Sequence, residues 1–101
     1  MELQIPADTK SDSVVRVVEQ VCNENDLTCV VKGSLASYPG CIHWHFKKDK
    51  RKGTLEITWW EDENRLWFKV ANGRRGKWID EALPKLKQEI EGSLNKTSEV
   101  Y

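Results

Sequence analysis

Residues 41–70 read CIHWHFKKDKRKGTLEITWWEDENRLWFKV, and this stretch decides the fold. Alternate positions sort by chemistry, the period of an extended chain. Ile42, Trp44, Phe46, Leu55, Ile57, Trp59, Leu66, Phe68 and Val70 share one face. Cys41, His43, His45, Glu56, Thr58, Trp60, Arg65, Trp67 and Lys69 share the other. The stretch predicts three antiparallel strands at 41–48, 53–60 and 65–71. With 61–64 as a hairpin loop, Trp60 faces Arg65, Thr58 faces Trp67 and Glu56 faces Lys69. The reverse side then pairs Trp59 with Leu66, Ile57 with Phe68 and Leu55 with Val70. With 49–52 as the preceding loop, Phe46 meets Leu55, Trp44 meets Ile57, Ile42 meets Trp59, His45 meets Glu56 and His43 meets Thr58. A slip of one residue would mix apolar and polar partners throughout, so this register is strongly specified.

Outward from this core, a first strand is expected at 28–36, with Cys29, Val31 and Leu35 on one side. A type II turn is expected at Tyr38-Pro39-Gly40-Cys41, with proline presetting φ and glycine accepting positive φ. Val14, Val17, Val18 and Val21 recur at helical spacing, which predicts a helix over 11–25 capped from Ser11, Asp12 or Ser13. Leu83, Leu86, Ile90 and Leu94 predict a second helix over 80–94, with Pro84 harmless in its first turn. The expected fold class is α+β. A four-stranded antiparallel meander carries two helices on one face, in the order α-β-β-β-β-α. The competing layout places the first helix over the outer face, hiding Trp60 and Trp67.

The chain has 101 residues, which suits a single domain spanning 1–101. Residues 1–10 read as a loose N-terminal arm or a short extra strand, and 95–101 as a disordered tail. The 16 basic and 16 acidic residues cancel, so whole-chain charge names no polyanionic partner. Three cysteines, an odd number, and no secretory leader point to a reducing cytoplasmic setting with free thiols. Cys22 and Cys29 read as core residues. No apolar run reaches membrane-span length, so no membrane association is expected.

Charge placement matters more than its sum. The meander brings the loop after the second strand and the loop after the fourth to the same end of the sheet. The first carries Lys47, Lys48, Lys50, Arg51 and Lys52; the second carries Arg74, Arg75 and Lys77. Beside this basic rim lie His43, His45, Trp60, Trp67 and Lys69 on the outer face. Lysine and arginine neutralise phosphates, and exposed aromatic rings stack on bases. These residues predict a module that binds single-stranded nucleic acid or another phosphate-bearing ligand. A protein-contact or homodimer surface on the same aromatics is the alternative.

A metal reading uses Cys41, His43 and His45, which point the same way on one strand, with Glu56 across from His45. No Cys-x-x-Cys pair and no further histidine support it, so it stays an alternative and no metal ligands are assigned. Cys–His nucleophilic chemistry fails on spacing, because alternate strand residues lie ~6.6–7 Å apart. The sequence names no catalytic residue and no cofactor, and it leans away from an enzyme.

Overall fold

The computed structural model describes residues 1–71, 73 and 75–98. Its elements are α1 (Ser11–Glu24), β1 (Thr28–Leu35), β2 (Tyr38–Lys47), β3 (Leu55–Trp60), β4 (Arg65–Lys69) and α2 (Lys77–Ser98). The strands form one antiparallel sheet in the order β1-β2-β3-β4. This is the α+β architecture the sequence pattern implies. None of the helices is long and apolar enough to cross a membrane, among the described residues.

The register of β2, β3 and β4 follows the sorting of their side chains. Trp44 pairs with Ile57, His45 with Glu56 and His43 with Thr58. Trp59 pairs with Leu66, Thr58 with Trp67 and Glu56 with Lys69. Both helices pack on the apolar face, and one buried cluster joins Val14, Val18, Trp44, Ile57, Trp59, Phe68, Leu86 and Ile90. The outer face is therefore free of α1. Two buried indoles fix the helix to the sheet. Trp44 Nε1 donates to Glu19 Oε2 at 2.9 Å, and Trp59 Nε1 donates to Ser11 Oγ at 2.9 Å.

Ser11 is already the first helical residue, so it does not cap α1 and its hydroxyl is used by Trp59. The N-cap position is Lys10, which makes no side-chain cap. The far end of α1 closes by a Schellman arrangement. Asp26 takes a left-handed φ of 63°, Asp26 N donates to Asn23 O, and Leu27 N donates to Cys22 O. Leu27 is buried, supplying the apolar contact that accompanies such a stop.

Three expectations give way. First, β1 is an edge strand whose residues 28–34 are all exposed, so Cys29 is not core. The helices do not cover this edge, and a register shift between Cys29 and Val31 breaks its alternation. Second, Pro39-Gly40 is not the hairpin turn. The turn lies at 36–37, and Leu35 pairs with Tyr38. Pro39 and Gly40 instead form an irregularity inside β2, where Gly40 takes φ 82°. A proline without an N–H is tolerated there because the ladder is already interrupted. Third, α2 begins at Lys77, so Pro84 falls inside it. The earlier start is set by packing, because Trp78 and Ile79 are buried in the core.

The ends of the chain are also engaged. Leu3 N donates to Leu66 O and Phe68 N to Met1 O, both at 2.8 Å, so residues 1–3 extend the sheet beyond β4. Glu2 accepts from Arg65 Nε and Nη2 at 3.0 and 3.1 Å. At the other end α2 continues past Leu94 to Ser98. Residues 99–101 of the expected tail lie outside the described residues.

Candidate functional site

The outer face divides into an aromatic end, a polar centre and a basic end. At the aromatic end Tyr38 stands edge-on to both Trp60 and Trp67, with ring centroids 5.1 Å apart in each pair. Trp60 Nε1 donates to Pro39 O at 3.1 Å, and the Arg65 guanidinium lies 5.1 Å from the Trp67 ring. The two tryptophans are thus half-buried and partnered within the chain, rather than standing as open stacking platforms. Simple alternation along β2 would send Tyr38 to the inner face with Ile42 and Trp44. The irregularity at Pro39–Cys41 reverses that parity, which is why the sequence pattern missed Tyr38.

At the centre, His43 and Thr58 are buried although they lie on the face without helices, at 6% and 1% exposure. His43 Nδ1 is 2.8 Å from Thr58 Oγ1. His43 Nε2 is 3.1 Å from His45 Nε2 and 3.2 Å from Glu56 Oε1. His45 Nε2 is 3.8 Å from the same oxygen. Burial pushes the His43 imidazole below its ordinary pKa, against the upward pull of the Glu56 carboxylate. Glu56 therefore serves both histidines, while Lys69, its register partner on β4, is exposed. Cys41 does not join them. Its buried sulfur accepts from Leu35 N at 3.3 Å.

At the basic end the two loops meet. Lys47, Lys52 and Arg75 line one cleft of about 620 Å³, together with Val30, Val31, His45, Gly53, Thr54 and Gly73. The loops are held together by a polar and a steric contact. Trp78 Nε1 donates to Lys52 O at 2.9 Å, and a Cβ at Gly76 would run into that same carbonyl. Lys47 Nζ reaches Thr54 Oγ1 at 3.5 Å, and Arg75 Nη2 pairs with Asp80 Oδ1 at 2.7 Å on the surface.

The remaining basic residues separate. Arg51 and Lys77 line a neighbouring groove with Lys52, Trp78 and Glu81. Lys48 is half-buried and Lys50 exposed, and neither lines these two clefts. Arg74 lies outside the described residues. The sequence brought all eight cations to one end, but only the fold separates the three that share the larger cleft. Comparison with family models, with curated proteins and with solved structures finds no match.

Proposed function

We propose that this protein is a binding module for a phosphate-bearing ligand, held in the cleft between the β2–β3 loop and the segment leading into α2. The observation that carries the reading is the convergence of Lys47, Lys52 and Arg75 on one cleft. Lysine ammonium groups and the arginine fork are the side chains suited to phosphate oxygens, and the Thr54 hydroxyl adds a neutral donor. Val30 and Val31, exposed at 51% and 47%, give the same cleft an apolar wall for the rest of the ligand. Single-stranded nucleic acid fits as a polymeric form of this ligand class. Its bases would stack only where Trp60 or Trp67 is released from Tyr38.

A protein-contact reading on the same aromatics has less support. Among the described residues the exposed large apolar ones are Met1, Val30 and Val31, not the tryptophans. The test is ¹⁵N chemical-shift mapping with pyrophosphate and, separately, with a mixed-sequence oligonucleotide. Shifts should centre on Lys47, Lys52, Gly53, Thr54 and Arg75 with both probes. Shifts confined to 38, 60 and 67 would move the site to the aromatic end, and no shifts with either probe would remove the reading.

A further inference from the structure

We propose that His43, His45 and Glu56 form a binding site for one divalent transition-metal ion of the zinc class. The sequence offers His-x-His on one strand. The fold supplies the third donor from the neighbouring strand, and the donor atoms of all three residues lie within 4.8 Å of one another.

The triangle of donors has the size of a coordination sphere. Its sides are 3.1, 3.2 and 3.8 Å. The circumradius of such a triangle is the product of the sides over four times the area, about 37.7/19.1, or about 2.0 Å. Zinc bonds to histidine nitrogen and carboxylate oxygen are roughly 2.0–2.2 Å long. An ion about 2.1 Å from each donor atom would sit roughly 0.7 Å off their plane. Two histidines and one carboxylate leave further positions open, as in catalytic zinc sites and in facial two-histidine carboxylate sites.

The His43 tautomer decides whether its Nε2 turns a lone pair or a proton to the centre. With His43 Nδ1–H donating to Thr58 Oγ1, 2.8 Å away, His43 Nε2 carries a lone pair toward the centre. His45 Nε2–H can then satisfy that nitrogen, but Glu56 Oε1 is left 3.2 Å from a second lone pair. With the proton on His43 Nε2 instead, that N–H donates to Glu56 Oε1 and Thr58 Oγ1–H donates to His43 Nδ1, leaving His45 Nε2 as the atom that shares. A cation at the centre satisfies all three donors at once, and the Thr58 bond is the kind of support that orients a ligating imidazole. His45 also lines the phosphate cleft, but Lys47, Lys52 and Arg75 are not among the metal donors, so separate variants test the two readings.

The test strips the full chain with a chelator and titrates it with Co²⁺, then with Zn²⁺. We expect one Co²⁺ per chain with visible ligand-field absorption, displaced by Zn²⁺, and a higher Tm with Zn²⁺. His45→Ala and Glu56→Gln should each weaken uptake by more than the roughly 10–100-fold that loss of a supporting hydrogen-bond partner costs. Cys29→Ser, which removes the exposed thiol, should change nothing. Absence of Co²⁺ uptake by the wild-type chain at millimolar metal would overturn the proposal. So would uptake that survives His45→Ala and Glu56→Gln, or uptake that disappears in Cys29→Ser.

Discussion

Trp59 and Trp60 are sequence neighbours with opposite fates, and truncating each in turn measures the facing of the sheet. Trp59 is 1% exposed, lies against the helices and donates to Ser11 Oγ at 2.9 Å. Trp59→Ala removes a fully buried indole, which costs about 3–5 kcal/mol with the cavity included. Trp60 is half-buried, and its ring meets Tyr38 at 5.1 Å. Trp60→Ala forfeits one edge-to-face pair, an exposed hydrogen bond to Pro39 O and partial burial, about 1–1.5 kcal/mol. Urea unfolding followed by far-UV circular dichroism reads both. With a slope of about 1.5 kcal/mol per molar, the midpoint falls by roughly 2–3 M for Trp59→Ala and by about 1 M or less for Trp60→Ala. Should Trp59→Ala leave too little folded protein, the phenylalanine pair preserves the contrast. Trp59→Phe costs about 2 kcal/mol, from one part-buried hydrogen bond and part of the ring, and Trp60→Phe about 1 or less, because its bond to Pro39 O is exposed to water. Equal costs at the two positions, or the larger cost at Trp60, would refute the sorting of faces on which both candidate sites depend.

Three further outcomes follow from the same geometry. Tyr38→Ala removes two edge-to-face pairs, each worth about 0.5–1.5 kcal/mol, so stability should fall by about 1–3 kcal/mol and tryptophan emission should shift to the red as Trp60 and Trp67 meet water. Under native conditions one thiol should alkylate, at Cys29, because Cys41 is buried and burial pushes the Cys22 thiol up to about 12; peptide mass spectrometry identifies it, and labelling of Cys22 ahead of Cys29 would contradict the burial pattern. The Glu2 carboxyl is held below its ordinary 4.5 by the hydrogen bond from Arg65. A lowered folded pKa contributes stability above the unfolded value and loses it as pH falls through the folded one. Exchange of the Leu3 amide, which donates to Leu66 on β4, should therefore accelerate relative to the central β3 amides as pH drops below about 4.5.

The sequence carried the meander well because the two faces constrain each other. Pairing Ile57 with Trp44 and Phe68 fixes Glu56 between His45 and Lys69, and no other register keeps both faces consistent. It carried β1 poorly because strand-forming residues such as Val30 and Val31 look the same whether or not a helix covers them. Tyr38 was hidden by an irregularity, and an irregularity of one or more residues changes which face every earlier residue meets. The start of α2 was misplaced because Asp80 followed by Pro84 is a good local signal, whereas burial of Trp78 and Ile79 is a tertiary one. For the candidate sites, strand topology was enough to bring the basic loops to one end and His45 opposite Glu56. Side-chain conformation decided the rest: the carboxylate reaching both histidines, and Lys47, Lys52 and Arg75 meeting in one cleft.

The phosphate reading is tested most directly by isothermal titration calorimetry of pyrophosphate against the wild-type chain and the Lys47→Ala/Lys52→Ala variant at low salt. Each charge-assisted hydrogen bond lost is worth about 1.5–3 kcal/mol, so the double variant should bind at least about 100-fold more weakly, and wild-type affinity should fall as salt rises. An unchanged Kd in the double variant, or no binding heat from the wild-type chain across a range of temperatures, would contradict it.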